Sequence, residues 1–177
     1  MCMIEISPSI ETRRLTLRAP APHDAPRLAA LMNDLDIARM TSRVPHPYGL
    51  AEAEAFIGNV QGEDPRTDRS FLIELDDEGV VGGIGFNARG DGATEVGYWI
   101  GRDWWGRGIA TEALQGALAW AGRDWRRRFV VAGHFDDNPA SGQVLVKAGF
   151  LYTGEVQPRP SLARGAAAAT RMMVWLA

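Results

Sequence analysis

Residues 98–114 read Tyr-Trp-Ile-Gly-Arg-Asp-Trp-Trp-Gly-Arg-Gly-Ile-Ala-Thr-Glu-Ala-Leu. The stretch opens as an apolar strand, passes through a short loop at Gly106 and Gly108, and continues as the first turns of an amphipathic helix. Such a loop directs successive backbone N–H groups toward one point, where the helix N-terminus adds about half a positive charge. The pattern therefore predicts an anion-binding site, and a phosphate is the best candidate.

Two other phosphate-binding motifs are excluded. The loop is not a P-loop, because no Gly-Lys-Ser/Thr follows its glycines. Gly83 and Gly85 have the spacing that begins a dinucleotide fingerprint, but a turn at Arg89–Gly92 stands where a helix is required. We interpret these two glycines as strand positions at which another backbone approaches closely.

The rest of the chain alternates between strand and helix patterns, with hairpins first and strand–helix–strand units later, which predicts the α+β class. Asp24 is expected to cap the first helix. Residues 158–165 read as a polar loop, and residues 33–61 are weakly readable apart from one helix. Strands are predicted at 14–19, 70–75, 80–87, 94–100, 129–135, 150–156 and 170–176, and helices after Asp24, at about 51–60, after Gly108 and at 139–147.

The glycine loop resembles the acetyl-CoA pyrophosphate loop of the GNAT acetyltransferase superfamily, Gln/Arg-x-x-Gly-x-Gly/Ala, with Gly106 and Gly108 at the two glycine positions. The sequence Trp105–Ala113 resembles its Rim-type branch, which includes ribosomal-protein N-terminal acetyltransferases. A second motif, Asn138–Ser141 followed by Val144–Phe150, resembles that branch's Asn-x-x-Ser helix ending in Lys-x-Gly-Phe. Two ordered motifs at the expected separation make the resemblance specific.

A third match opens the chain, where Thr12–Arg18 and Asp24-Ala25 resemble the first strand and helix start of that branch. The resemblance runs from about Glu11 to the C-terminus. It implies a GNAT-like mixed, mostly antiparallel twisted sheet of about seven strands flanked by about four helices. The sheet is splayed between its strands four and five, and the pantetheine arm lies in that gap. We expect a single N-acetyltransferase domain over residues 1–177, with residues 1–10 as an N-terminal extension.

The resemblance implies that acetyl-CoA or CoA binds as a cosubstrate. One departure concerns the Gln/Arg position of the loop, which is Asp103 here. A pyrophosphate repels a carboxylate, so we expect Asp103 to point away, with Arg102 or Arg107 nearer the phosphates. The expected cofactor-binding residues are Trp99, Ile100, Gly101, Arg102, Gly106, Arg107, Gly108, Ile109, Ala110, Thr111, Asn138, Ser141 and Lys147.

Acetyl transfer from a thioester to an amine requires a neutral amine, a polarised carbonyl and a stabilised thiolate. Ser141 is the best donor to the departing sulfur because the Rim-type branch has serine there; the alternative is an ordinary polar group in a first helical turn. Asn138 caps this helix, contacts the pantetheine amides, or does both. Glu95 is the candidate base, acting through a water, or else a solvated strand-end carboxylate. His134 is the second candidate base, although strand histidines are more often packed than catalytic.

Two further groups of residues have structural and functional interpretations. Trp104 and Trp105 flank the glycine loop, and we expect them to be core anchors under the helix, because tryptophan buries a large area wherever it can. Arg126–Arg128 is expected to be a solvated turn, and the alternative is that one arginine reaches the 3′-phosphate of the cofactor.

Composition narrows the class of protein further. A chain of 177 residues with 46% hydrophobic content is large enough and apolar enough for one domain with a hydrophobic core. Its net charge of −3 lacks the excess of basic residues that is typical of nucleic-acid-binding domains. No apolar run approaches the roughly 20 residues of a membrane span, and Met1–Glu5 lacks the regions of a signal peptide. Cys2 is the single cysteine, which favours a cytoplasmic location. We expect no metal, no nucleic-acid or membrane partner, and a monomer or homodimer.

The resemblance implies an N-acetyltransferase that moves an acetyl group from acetyl-CoA to a primary amine by direct attack in a ternary complex. The favoured acceptor is a protein or peptide N-terminal α-amine, whose ordinary pKa near 7.7–8.0 demands a milder base than lysine does. The alternatives are a small-molecule amine acetyltransferase (polyamine, amino acid or antibiotic) and a non-catalytic acyl-CoA-binding sensor. Ser141 and Glu95 in one cleft favour an enzyme; a cleft closed by Thr41–Gly49 favours a small acceptor.

Overall fold

A computed structural model describes residues 8–177 of the chain, which form one eight-stranded sheet and five α-helices. Most of the expected extension, residues 1–7 with Cys2, lies outside the described residues, and its last residue begins the first strand. The strands are β1 (Ile10–Glu11), β2 (Leu15–Arg18), β3 (Arg69–Leu75), β4 (Gly79–Ala88), β5 (Thr94–Ile100), β6 (Phe129–Phe135), β7 (Leu151–Ser161) and β8 (Ala166–Leu176). The helices are α1 (Ala25–Met32), α2 (Leu35–Ala38), α3 (Leu50–Gln61), α4 (Ile109–Arg123) and α5 (Pro139–Lys147).

The sheet has the order β1-β2-β3-β4-β5-β6-β8-β7, and its neighbouring strands are antiparallel except for the parallel pair β5–β6. In residues 8–177, Glu95 and Val131 are the single register pair that joins β5 to β6. The two strands therefore leave a gap that opens toward their carboxyl ends. The predicted α+β class and the splay are confirmed. The two-residue β1, which the sequence did not predict, raises the strand count by one.

Helices cover both faces of the sheet. The central strand β3 shows why, since Phe71 and Ile73 belong to the core beneath α4 whereas Leu72 belongs to the core beneath α1 and α3. Successive side chains of a strand point to opposite faces, so a strand with three successive apolar residues needs a cover on each side. The larger core includes the α4 residues Leu114 and Leu118, which are fully buried at helical spacing.

A neighbouring backbone approaches β4 closely at Gly82, one residue before the pair Gly83 and Gly85 that was interpreted in this way from the sequence. A Cβ atom on Gly82 would lie 2.5 Å from the Trp99 carbonyl oxygen, and one on Gly83 would lie 2.7 Å from Trp99 Nε1. At Gly83 the close neighbour is thus a side chain. These two positions seat Trp99 against β4, next to the end of β5.

The predicted loop at residues 158–165 is wrong in extent, and the strands predicted on either side of it are present but longer than predicted. The strands β7 and β8 each run for 11 residues and meet in a turn at 162–165. Pro158 and Pro160 obscured this pattern, because proline is normally excluded from a sheet interior. Here they lie on β7, an edge strand that pairs with β8 alone, where a missing N–H is tolerated.

The predicted cap at Asp24 is also wrong in its details. Asp24 occupies the N-cap position of α1 without a side-chain capping bond, and its carboxylate accepts hydrogen bonds from Arg18 and from the Ala21 N–H instead.

Within residues 8–177, no helix is both long and apolar enough to span a bilayer. The same residues hold no cluster of three or more His, Cys, Asp or Glu side chains arranged for a metal ion.

Candidate functional site

The glycine loop has the backbone geometry of an anion site. Gly106 and Gly108 adopt φ angles of +75° and +74°, a left-handed conformation that favours glycine. Gly108 is the N-cap of α4, and the first intrahelical bond runs from the Glu112 N–H to its carbonyl at 3.1 Å. The N–H groups of residues 109–111 precede this bond and point out of the helix N-terminus. The loop thus presents the N–H groups and dipole that a phosphate requires.

Arg14 brings a guanidinium to this loop, a role that sequence reasoning missed. Its Nη2 donates to the Arg107 carbonyl at 3.1 Å, and its Nε donates to Glu112 Oε2 at 2.7 Å. Burial raises the pKa of Glu112, but hydrogen bonds from Thr12 and Arg14 outweigh it and lower the pKa overall. The positive charge of Arg14 thereby balances the negative charge of Glu112, which lies in the first turn of α4. The 98 residues between the partners explain why no local motif revealed them.

The two arginines expected near the phosphates are both held by carboxylates. Arg102 donates to Asp34 at 2.6 and 2.7 Å and to Asp36 at 2.6 Å, which ties the loop to α2. Arg107 donates to Glu78 at 2.8 Å, and this bond lowers the pKa of the Glu78 carboxyl. Asp103, between these arginines in sequence, is exposed.

The tryptophans beside the loop differ from each other. Trp104 is partly buried and packs against the larger core, as expected for an anchor. Trp105 is 47% exposed, so the prediction that it is a core anchor is wrong. Its indole N–H donates to the Ile100 carbonyl at 2.7 Å, and the Arg102 guanidinium lies 5.2 Å from its ring centroid. The hydrogen bond from the indole to the backbone carbonyl fixes the chain where β5 leads into the loop.

Tyr98 and Ser141 meet across the gap between β5 and β6. The Tyr98 hydroxyl lies 2.8 Å from Ser141 Oγ and donates to the Ser141 carbonyl at 3.1 Å. Asn138 Oδ1 accepts the Ser141 N–H at 3.2 Å, so the cap of α5 is supplied by Asn138. Burial raises the pKa of Tyr98 to about 12, against the opposing effect of the Ser141 bond. The phenol is therefore a neutral donor at physiological pH. Sequence reasoning missed Tyr98 because its partner lies 43 residues away.

Glu95 stands at the closed end of the gap, where β5 and β6 pair. Arg159 Nη2 of β7 donates to Glu95 Oε1 at 2.6 Å, and the two side chains are 22% and 25% exposed for Glu95 and Arg159 respectively. Tyr98 comes three residues later on the same strand, about 10 Å along it and on the opposite face. Glu95 and Ser141 therefore border the gap from opposite faces of the sheet.

His134 is not brought together with Glu95. Since Val131 shares a face with Glu95, the side chain of His134 three residues later faces the α5 side. His134 is buried there, with Nδ1 2.9 Å from the Phe135 carbonyl and Nε2 3.0 Å from the Tyr152 hydroxyl. A Cβ on Gly142 would lie 2.8 Å from His134 Nε2, which places the histidine directly beneath α5.

Lys147 and the arginine turn both adjoin α4, and the Lys147 carbonyl accepts a hydrogen bond from Gln115 of that helix at 3.1 Å. Lys147 is exposed at the C-terminal end of α5, about 9 Å along the helix from Ser141. Arg127 covers the Trp125 ring, with its guanidinium carbon 3.8 Å from the centroid. That turn follows the C-terminal end of α4, about 20 Å from the loop at the other end of the helix. Arg126 and Arg128 are exposed, as expected for a solvated turn, whereas Arg127 is partly buried against Trp125.

The hairpin of β7 and β8 crosses toward the other half of the sheet. At its tip, the Leu162 N–H donates to the Ser42 carbonyl at 3.1 Å. Arg164 Nε donates to the Arg39 carbonyl at 2.6 Å, and its terminal nitrogens bind Asp137 at 2.8 and 2.9 Å. These contacts join the strands beyond the gap to the segment that follows α2. They cover the gap on the side where Glu95 lies.

Comparison with known proteins gives the class that this geometry defines. Residues 14–151 match the family model of the acetyltransferase (GNAT) domain. The match includes the glycine loop, the gap between β5 and β6, and α5. The chain therefore belongs to the GNAT acetyltransferase family, as the sequence motifs predicted.

Individual relatives extend the comparison. The chain is 30% identical over 111 residues to the uncharacterized N-acetyltransferase p20 of Bacillus licheniformis, which covers 60% of this chain and 62% of the relative. It is 35% identical over 100 residues to the ribosomal-protein-serine acetyltransferase of Escherichia coli (strain K12), with 55% of each chain covered. The chain thus spans less than two thirds of the length of these two relatives.

A solved structure supports the fold. Mycobacterium smegmatis RimJ in complex with CoA-disulfide has a TM-score of 0.84 to this chain at 20% identity, covering 96% of this chain and 88% of RimJ. At this identity the likeness establishes the fold. The name of the Escherichia coli relative is consistent with the Rim-type branch predicted from the sequence.

Proposed function

We propose that the chain transfers an acetyl group from acetyl-CoA to a primary amine by direct attack in a ternary complex. The observation that carries this proposal is the position of the glycine loop. It lies at the end of β5, beside the open end of the gap, so that one extended ligand can follow the strand from the loop to Ser141. The family match and the CoA-bound RimJ neighbour support the choice of ligand.

The cofactor is proposed to bind in three parts. The N–H groups from Arg107 to Thr111 receive the pyrophosphate, with the Arg14 guanidinium nearby. The backbone at residues 99–102 and the side chain of Asn138 are proposed to contact the pantetheine arm, and Lys147 to act at the far end of α5. CoA supplies the reactive thioester when it is bound, and the protein positions it against the acceptor.

Ser141 is proposed to donate a hydrogen bond to the departing thiolate. Its hydroxyl is not needed to cap α5, because Asn138 does this. The Tyr98 phenol is neutral, since burial raises its pKa to about 12, and its single O–H donates to the Ser141 carbonyl. Tyr98 is therefore proposed to hold Ser141 in place, and the Ser141 hydroxyl to stabilise the developing negative charge.

Glu95 is proposed to take the proton of the attacking amine through a water, with His134 as the second candidate. Glu95→Gln is expected to lose most activity near pH 7 and to recover part of it near pH 9, where an α-amine deprotonates unaided. The measurement is thiol release from acetyl-CoA across that range. A profile parallel to wild type would transfer the role to His134.

The acceptor is proposed to be the α-amine of a protein or peptide N-terminus. At pH 7 roughly a tenth of such amines are neutral, against less than about one in a thousand lysine side chains. A carboxylate acting through water suffices for the former. The named activity of the Escherichia coli relative, on a ribosomal protein, supports this choice.

A small-molecule amine is the second candidate, and the covered gap favours it. The hydrogen bonds from Leu162 and Arg164 to residues 39–42 leave less room for a long chain. A screen of thiol release with peptide N-termini and small amines at equal concentration tests both. Release with neither, although CoA binds, would favour an acyl-CoA sensor.

A further inference from the structure

The inner face of the β7–β8 hairpin carries two polar groups without a partner. Arg159 and Ser161 are two residues apart on β7, so their side chains share a face. Ser161 is 2% exposed, and its hydroxyl has no hydrogen-bond partner among the residues that the structure describes. The Arg159 Nε is likewise buried and unpartnered, whereas its Nη2 donates to Glu95 at 2.6 Å.

Such a pair of groups indicates a missing acceptor of hydrogen bonds. A buried donor that is left unpaired costs free energy, and a guanidinium offers five N–H donors in a planar fork that fits a carboxylate. Glu95 engages one of the terminal nitrogens of Arg159. The remaining donors on this face are available to an anionic group that enters beside Glu95.

The charge around Glu95 points the same way. Arg43 donates to Asn87 Oδ1 at 3.2 Å, and Asn87 pairs with Glu95 across β4 and β5. Asn87 in turn donates to Asp68 at 3.3 Å, so one carboxylate balances Arg43. Arg159 remains beside the proposed base. Arg159 and Glu95 thus present one positive and one negative charge side by side, which complements an acceptor that carries both a carboxylate and an amine.

We infer that the acceptor is a primary amine bearing a carboxylate, which Arg159 and Ser161 bind while Glu95 receives the amine. The inference rests on the proposed function. Because Arg159 touches Glu95 directly, the amine and the carboxylate must be only a few atoms apart. Two sources have this chemistry: a free α-amino acid, and a peptide N-terminus with an acidic residue in its first positions.

The test uses two matched pairs of acceptors and CoA-saturated protein, so that binding is measured without turnover. Alanine and alaninamide represent the small molecules. C-terminally amidated Ala-Asp-Ala-Ala and Ala-Asn-Ala-Ala represent peptides. Isothermal titration gives the dissociation constant of each for wild type, Arg159→Gln and Arg159→Lys. Arg123→Gln is the control, because Arg123 forms an exposed ion pair with Asp124 at the end of α4.

We expect wild type to bind the anionic member of one pair at least about tenfold more tightly, and that pair identifies the source. Arg159→Gln should reduce the ratio to about one, Arg159→Lys should retain part of it, and Arg123→Gln should keep all of it. Unchanged CoA affinity shows that the variants are folded. Equal binding within both pairs, or a preference that survives Arg159→Gln, would overturn the inference. Preferred binding without thiol release from acetyl-CoA would refute the proposed function, and with it the role of this ligand as an acceptor, while the carboxylate-binding role of Arg159 would stand.

Discussion

Single residues at the start of α5 have separable roles. Asn138 accepts the Ser141 N–H and thereby satisfies one of the free N–H groups that every helix start presents. The Ser141 hydroxyl instead faces Tyr98 across the gap at 2.8 Å. The two residues could not be told apart from their order in the sequence, because serine and asparagine are both common at helix starts.

Ser141→Ala is expected to lower the maximal rate about 10- to 1000-fold, while acetyl-CoA binding changes little. The reason is that the thiolate forms late in the reaction, so a hydrogen bond to it stabilises the transition state most. Steady-state thiol release and CoA titration measure the two quantities. Ser9→Ala, at an exposed serine outside the site, is the control. Full turnover with a raised KM would make Ser141 a binding residue.

At the scale of elements, Asp24 joins β2 to the start of α1. Its carboxylate is 4% exposed and accepts from Arg18 Nη1 and Nη2, each at 2.9 Å, and from the Ala21 N–H at 2.8 Å. Burial raises the pKa of Asp24, but the hydrogen bonds from Arg18 and Ala21 more than offset this and lower it overall. The charged form of Asp24 is therefore favoured by folding.

Asp24→Asn is expected to reduce the free energy of unfolding by about 1–3 kcal/mol at pH 7. Because folding lowers the pKa of Asp24, its charged form stabilises the folded state at pH values above the unfolded pKa near 3.9. This stabilisation is lost as the pH falls through the pKa of the folded state. The difference from wild type should therefore shrink below about pH 4. Urea unfolding at pH 7 and pH 3 measures it, with Asp124→Asn as the exposed control. A difference independent of pH would contradict this role.

At the scale of the whole molecule, the two sides of the site differ in how far the sequence predicted them. The glycine loop, the start of α4 and the extent of α5 are local patterns, so they followed from residue order and spacing. The acceptor side is built by contacts across 64 residues between Arg159 and Glu95 and across 125 residues between Arg164 and Arg39. The spacing of apolar residues along the sequence does not predict contacts between side chains so far apart in the chain. The hairpin that makes them was misread because it carries prolines.

CoA binding at the glycine loop is tested most directly by titration of CoA into two valine variants. Gly108→Val places a branched side chain where the pyrophosphate approaches, whereas Gly92→Val has a matching strain, with φ +83° against +74°. Gly92 precedes β5, about 20 Å along the strand from the loop that follows it. We predict wild-type affinity in Gly92→Val and at least about a tenfold loss in Gly108→Val, measured on variants with matching circular dichroism. Equal CoA affinity in the two variants would contradict the account.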